Sequence, residues 1–475
     1  MVFSSVIFLV FFFPIVFGIY FLLHQKVKNI YLLLVSVLFY MWGAPKFIFA
    51  ILGTTVLDFF LVQALHNSMN GKKRKMFLVL SLSLNVGMLF YFKYCNFFIE
   101  NANSILHLFT EKQIHWTEII LPIGISFYTF ESLTYVIDVY RKVHKPLNNF
   151  WHYQLYIILF PKLIAGPIIR YHEISDQITG RLGNENIDDI LSGFYRFVIG
   201  LSKKVLIANT VAGVADQIFN LPAYEVSSLY AWLGMLAYTF QIYFDFSGYS
   251  DMAIGMGKML GFKFPENFDN PYTSSSVTEF WRRWHMTLGS WMKNYLYIPL
   301  GGNKVSSKKK LFFNLWIVFL LSGLWHGAAW TFIFWGAYHG VILIAERLFL
   351  NKIYIKVGKF VSVFITFILV AIGWIFFRAD TFEYGLAYVK RLFAFEFNIT
   401  YVFLDNEFLF YFILALIISF ITLLPTGKKI QEIIYYKALS NKGHMIAVIL
   451  SLMLFMICLA SVTSSTFNPF IYFRF

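Results

Sequence analysis

The chain has 475 residues, 59% hydrophobic and only 13% charged, against roughly 25% charged in an ordinary soluble domain. That inventory excludes a water-soluble globular protein and leaves no soluble segment large enough to act on its own. The 39 Lys and Arg outnumber 25 Asp and Glu to give a formal charge of +14. In so apolar a chain that excess reads as membrane topology rather than as a nucleic-acid surface.

Apolar runs of the length a span needs, roughly 20 residues, lie near residues 2–23, 27–43, 47–66, 76–97, 119–138, 190–212, 227–250, 311–328, 329–350, 358–378, 405–424 and 443–462. They predict an all-α polytopic membrane protein with about twelve spans. No internal repeat, low-complexity tract or hydrophilic linker divides the chain, so one membrane domain over 1–475 is expected. The first run, Val2 to Leu23, lacks a basic n-region and a small-x-small cleavage site, and is expected to be retained as a span.

Basic clusters recur in alternate loops: Lys26 and Lys28; Lys72, Lys73, Arg74 and Lys75; Arg141, Lys142 and Lys145; and later 251–310 and 425–442. Glu100, Glu111 and Glu118 make an intervening loop acidic. The positive-inside rule then places the N- and C-termini outside the cell membrane and the basic loops in the cytoplasm.

Two stretches do not fit simple spans. Residues 151–172 are apolar but broken by Pro161, Gly166 and Pro167, and they carry Lys162 and Arg170. Residues 273–298 are aromatic-rich yet hold Glu279, Arg282, Arg283, His285 and Lys293. Irregular or charged backbone survives at membrane depth only where protein or a watery cavity surrounds it. Both are therefore predicted to be re-entrant or interfacial elements lining a cavity.

His326 stands out among the eleven histidines because it lies inside an apolar run, Leu321-Ser-Gly-Leu-Trp-His-Gly-Ala-Ala-Trp330. An ionisable side chain at such depth is costly, which marks it as a functional candidate. Starting from Leu311 at the inner face and rising about 1.5 Å per residue, His326 would lie roughly 22 Å in. Gly323 and Gly327 leave room beside it for a neighbouring helix or a thin acyl group. The competing reading is a neutral imidazole hydrogen-bonded between helices.

His285 follows Trp281-Arg-Arg-Trp284, and a helical turn would set it beside Trp281 and Arg282. A nearby cation favours a neutral, proton-accepting imidazole; the alternative is an interfacial anchor. Arg282, Arg283, Lys293 and Lys308 to Lys310 could attract an anionic donor such as coenzyme A phosphates or an acidic carrier protein, although topology signalling alone also explains them. Asp245, Ser247, Ser250 and Asp251 sit at the inner end of a span, where the arginines of the following segment are the expected partners in a structural clamp. Glu131 and Asp138 read the same way. No metal site is expected: His326 and His339 are thirteen residues apart, and no HExxH or Cys/His grouping occurs. Cys95 and Cys458 are isolated, and no phosphate-binding loop is present.

Four stretches, Leu121-Pro-Ile-Gly-Ile-Ser-Phe-Tyr-Thr-Phe130, Gln241 to Met252, Glu279-Phe-Trp-Arg-Arg-Trp-His285 and Ser322-Gly-Leu-Trp-His-Gly327, resemble the bacterial membrane-bound O-acyltransferases. The alginate O-acetyltransferase branch is the nearer likeness, and the teichoic-acid D-alanine transferases are more distant. The resemblance implies a motif-bearing catalytic core over 120–350 around a central tunnel, with re-entrant helices. It implies a cytoplasmic thioester donor, acetyl-CoA or another acyl thioester, with no bound cofactor, and a polysaccharide hydroxyl as acceptor on the outer face.

By the same resemblance His326 is the catalytic histidine and His285 the second motif histidine, with Trp325, Trp281, Arg282, Arg283, Ser322 and Asp245 as tunnel or donor-binding residues. A separate extracytoplasmic acyltransferase, and an acyl carrier protein, are implied partners. The tail 463–475 ends in Phe470-Ile-Tyr-Phe-Arg-Phe475, similar to the C-terminal motif of the small partner in teichoic-acid D-alanylation. That likeness makes Tyr472 a transient acyl carrier; the alternative is an aromatic anchor. Rival functions are a transporter or flippase without chemistry, disfavoured because the two broken segments are not symmetry-related, and a lipid or protein O-acyltransferase.

Overall fold

The structure, a computed structural model, describes residues 2–183, 185–397, 402, 404–464 and 471, and most of these are helical, with no strand among them. Seven helical stretches among the described residues are long and apolar enough to cross a membrane: Ile48–Asn67, Gly71–Leu106, Ile187–Phe219, Trp330–Val357, Lys359–Arg378, Asn406–Leu423 and Asn441–Ser464. The five remaining apolar runs are helical too, but shorter or more polar. Ile7–Leu22 is one of them. The run at 119–138 becomes helical only at Ile125, where Gly124 turns the chain at φ 78°. The protein is an all-helical, multi-pass membrane protein.

The chain divides into two compact units, Met1–Ile190 with Met256–Phe264, and Leu191–Gly255 with Pro265–Phe475. In the first, polar residues start the helices as capping chemistry requires. The Asn70 side chain accepts from the Lys72 amide at 2.8 Å, and Asn149 accepts from that of Trp151 at 2.8 Å. Each satisfies an amide that the first helical turn would otherwise leave open.

The broken segment is broken as expected. Phe150–Ile158 stops at Leu159, and a four-residue helix, Phe160–Leu163, begins with Pro161 in its first turn. Lys162 on that short helix forms a buried ion pair with Glu131. Asp138 meets the His172 Nδ1 at 2.7 Å. The Asp58 carboxylate, fully buried, accepts from Ser81, from Asn85 at 3.2 Å and from the Tyr153 hydroxyl at 2.8 Å.

In the second unit, Ile187–Ser202 runs on through a wide turn, Lys203–Ala208, into Asn209–Phe219 beside the long helix Ser228–Met259. Their backbones touch at a glycine seam: a Cβ on Gly200 would lie 2.5 Å from the Gly248 carbonyl oxygen, and one on Gly255 2.5 Å from that of Gly193. Small residues permit such an approach, and it decides the ion pairs. Arg196 and Lys203 reach Asp251 at 2.9 and 2.7 Å, Arg196 also holds Glu266, and Lys204 meets Asp245 at 2.9 Å. The clamp expected for Asp245 and Asp251 exists, but its cations come from the preceding helix and not from the arginines that follow. The glycine seam, which brings the two backbones together, is the reason.

A second tight pair is the hairpin of Lys308–His326 and Trp330–Ala345. Ser307 caps its first helix through the Lys310 amide at 3.1 Å. A Cβ on Gly323 would overlap the Phe332 carbonyl oxygen, and one on Gly327 the Phe332 ring. The room those glycines leave is therefore taken by the partner helix, the first of the two occupants their spacing allows. Around the hairpin packs an aromatic core of Phe280, Trp284, Trp335 and Trp374, with ring centroids 4.9–5.6 Å apart for Trp284–Trp374, Phe280–Trp284 and Trp335–Trp374. Pairs of that kind contribute about 0.5–1.5 kcal/mol each beyond their buried area.

Candidate active site

The segment 273–298 is a string of short pieces: Val277–Arg283, Met286–Trp291 and a wide turn Met292–Tyr297. Ser276 caps the first by accepting from the Glu279 amide at 3.0 Å. That helix ends at Arg283, Trp284 is extended, and His285 turns into the left-handed region at φ 45° and ψ 54°. The expected helical placement of His285 one turn after Trp281 and Arg282 is therefore corrected. A left-handed conformation costs a residue with a Cβ about 1–2 kcal/mol, and local bonds hold it here. The Met286 amide donates to the Asn267 carbonyl at 2.9 Å. The Thr287 hydroxyl donates to the Asn267 side chain at 2.9 Å.

The turn buries His285 to 2% exposure and aims it into a cavity of about 240 Å³. Trp281, Trp284, Leu288, Met292, Val318 and Phe319, buried or half-buried, form an apolar part of the wall, with the buried Ser322 beside them. Arg282, Lys293 and Arg347, all exposed, line the same cavity. It is thus polarised, with cations at the solvent side and an imidazole at the buried side. Such a shape suits a ligand that is anionic at one end and thin and reactive at the other.

Of the residues singled out by sequence, His285, Trp281, Arg282 and Ser322 share this cavity. Trp325 is packed between the two imidazoles, its ring 6.2 Å from that of His285 and 4.9 Å from that of His326. His326 is the last residue of its helix, 7% exposed, and its ring is also 5.2 Å from those of Trp335 and Phe377. It stands one helical turn beyond Ser322, the cavity residue on its own helix. Arg283 points elsewhere: it pairs with Glu279 at 2.6 Å and donates to the Thr273 hydroxyl. Burial alone would raise the Glu279 carboxyl, but the Ser275 amide and hydroxyl and the Arg283 guanidinium hold it below its ordinary value. Asp245 is held by Lys204 and by the Ile471 amide at 2.8 Å, and lines neither this cavity nor the larger one described below. Tyr472 lies outside the described residues.

Two residues escaped the sequence reading. Arg347 hides in an apolar run whose only other charge nearby is Glu346. Metal-ligand spacing gives His339 no role, yet it is fully buried between the rings of Trp281, Trp335 and Tyr338, at 5.0–5.2 Å. The argument that picks out His326, an ionisable residue in an apolar run, applies equally to it. Among the described residues no group of three or more His, Cys, Asp or Glu could hold a metal. A second cavity of about 360 Å³ is lined by Arg196, Lys203, Asp251, Glu266 and Asn267 and by apolar residues such as Ile199, Leu414 and Ile418.

Comparison with known proteins gives this geometry a context. Residues 104–354 match the family model of the membrane-bound O-acyltransferases. A probable alginate O-acetylase of Pseudomonas aeruginosa is 43% identical over 83% of this chain and 75% of its own. The peptidoglycan O-acetyltransferase of Helicobacter pylori is 36% identical over 82% of this chain and 80% of its own. A teichoic acid D-alanyltransferase of Bacillus subtilis is 30% identical over 55% of this chain and 70% of its own. A match over more than half the chain, with relatives at this identity along most of its length, settles the family: the chain belongs to the membrane-bound O-acyltransferases and is an O-acyltransferase.

Proposed function

We propose that the protein transfers an acetyl group from a cytoplasmic thioester to hydroxyls of an extracellular or cell-wall polysaccharide, through the stretch 120–350. The observation that carries this reading is the polarised cavity, with Arg282, Lys293 and Arg347 at its solvent side and His285 buried. The cations match the phosphates of coenzyme A or of an acyl carrier protein's prosthetic arm, and the narrow aromatic interior matches the pantetheine thioester. Acetyl, rather than D-alanyl, is supported by the higher identity of the two O-acetyltransferase relatives.

In the reaction, His326 takes the proton of the attacking hydroxyl while its oxygen bonds to the thioester carbonyl carbon. The tetrahedral intermediate collapses, the C–S bond breaks, and the proton on the imidazole passes to the departing thiolate. The histidine is thereby restored. His285 serves the same site as a second neutral imidazole on the donor side. Trp325, Trp281 and Ser322 shape the passage, and Asp245 acts from outside it as a structural clamp.

Basic loops inside and both termini outside would place the C-terminal tail at the outer face. By the likeness of the tail to the partner motif, Tyr472 is a transient acyl carrier: its hydroxyl attacks the thioester first, and the acetyl ester so formed then passes to the acceptor hydroxyl. A separate extracytoplasmic transferase would complete delivery to the polymer. The test is incubation of the purified protein with labelled acetyl-CoA, for wild type and His326→Ala. Loss of label release in the variant is expected. Equal turnover would remove His326 from the chemistry, and no turnover with any thioester would sink the donor assignment.

A further inference from the structure

The His285 imidazole makes one hydrogen bond among the described residues, from Nδ1 to the Asn267 Oδ1 at 3.0 Å, and its Nε2 has no partner among them. Which nitrogen carries the proton follows from Asn267. Its Nδ2 donates to the Ser250 hydroxyl at 2.9 Å. Its Oδ1 receives the Thr287 hydroxyl at 2.9 Å and the Thr287 backbone amide at 3.4 Å. A backbone N–H can only donate, so the atom facing it is the oxygen, and that oxygen can only accept from His285. The imidazole proton must then sit on Nδ1, and the lone pair on Nε2.

We infer that Asn267 is a positioning residue of the transfer reaction: through Oδ1 it fixes His285, which lines the cavity, as the Nδ1–H tautomer and keeps the lone pair on Nε2, the nitrogen left without a partner among the described residues. Asn267 is 1% exposed and ties down the left-handed turn with its backbone as well as its side chain. Ring direction and tautomer are thus set by one residue eighteen positions away in sequence. An amide does not pass a proton onward, so the Ser250–Asn267–His285 chain orients the imidazole and relays nothing. A carboxylate in the same place would do more, stabilising the imidazolium and taking His285 out of its neutral form. The other charged groups that share the cavity with His285 are Arg282, Lys293 and Arg347, all cationic. Its ring neighbours Phe246 and Trp325 carry no charge.

This inference rests on the proposal that His285 takes part in acetyl transfer, and the experiment separates the two. Acetyl-CoA turnover by the purified full chain is followed against pH for wild type, His285→Ala, Asn267→Ala, Asn267→Asp and Ser250→Ala. Asn267→Ala should lower kcat about ten- to hundredfold, the range found when the hydrogen-bond partner that orients a metal-bound histidine is lost, with KM for acetyl-CoA little changed. Asn267→Asp keeps the acceptor and the shape of the turn, and should recover activity at alkaline pH. Its acid limb, where the neutral imidazole is lost, should move up by about one pH unit or more, as a carboxylate raises the affinity of His285 for a proton. Ser250→Ala, which breaks only the outer bond, should cost less than Asn267→Ala.

A His285→Ala protein with full turnover would overturn the role of His285, and the positioning with it. An inactive His285→Ala protein alongside an Asn267→Asp profile superimposable on wild type would overturn the positioning alone. The Asp variant guards against misfolding of Asn267→Ala, since a shifted profile requires a folded, active enzyme.

Discussion

Each compact unit buries a polar cluster, and the two clusters end differently. In the first unit the Asp58 carboxylate accepts three donors, and Glu131 closes on Lys162. In the second, the chain Ser250–Asn267–His285 is bonded at every link but the last, where Nε2 is left without a partner among the described residues on a side chain that lines a cavity. A closed network fixes how helices pack, because each member would be costly without the others. One satisfied everywhere except at a single basic nitrogen holds that nitrogen ready for something that is not protein. Burial is nearly the same in both, so burial alone does not mark a site; the direction in which bonding runs out does.

The sharpest way to break this comparison is to remove an imidazole from the second unit and leave the first untouched. His326→Ala should reduce acetyl transfer by about 10²–10⁴, the contribution of a positioned general base, while thermal unfolding in detergent stays close to wild type. A variant that unfolds instead would make His326 a packing residue among Trp325, Trp335 and Phe377.

The mirror experiment belongs to the first unit. Lys162→Met leaves Glu131 buried without its cation, and breaking such a pair costs about 3–5 kcal/mol. The expected outcome is a marked fall in thermal midpoint, with turnover per folded molecule retained. Retained stability together with lost turnover would transfer the catalytic reading to the cluster described here as structural.

How much of this was legible beforehand follows the range of the physics. Span existence depends on local apolar content, and the twelve runs all proved helical, seven of them by themselves long and apolar enough. Glycine pairs and the broken 151–172 segment were readable for the same reason, since Pro and Gly act on their own backbone. Ion-pair partners were not, because the glycine seam that delivers Lys203 and Lys204 to Asp251 and Asp245 is a tertiary contact. The His285 turn was also missed: a helix ending at Arg283 depends on bonds to Asn267, far upstream. His339 is legible by the rule that picks out His326, an ionisable side chain in an apolar run, and metal-ligand spacing does not test it.

A smaller effect should follow from the hairpin that carries His326. Gly336→Ala places a Cβ against the Phe319 carbonyl oxygen, and overpacking of this kind costs about 1–3 kcal/mol. Because the helices would have to separate, turnover should fall together with the thermal midpoint, unlike either variant above. A stability loss with unchanged turnover would show that the cavity tolerates movement of the hairpin.

The smallest expected effect lies beside the site, at Glu279, outside the seven spans. Its carboxyl is held below the ordinary glutamate value by Ser275 and Arg283, so the folded state binds its proton more weakly than the unfolded chain does. Its contribution is therefore fully present above the unfolded value and is lost as pH falls through the depressed one. The side chain is about one-third exposed, which limits the contribution to about 0.5 kcal/mol. Thermal midpoints from pH 7 down to pH 3 should converge for wild type and Glu279→Gln, the variant being slightly lower only at the neutral end. A gap that widens on acidification would mean that the carboxylate is a burden to the fold despite its bonds to Ser275 and Arg283.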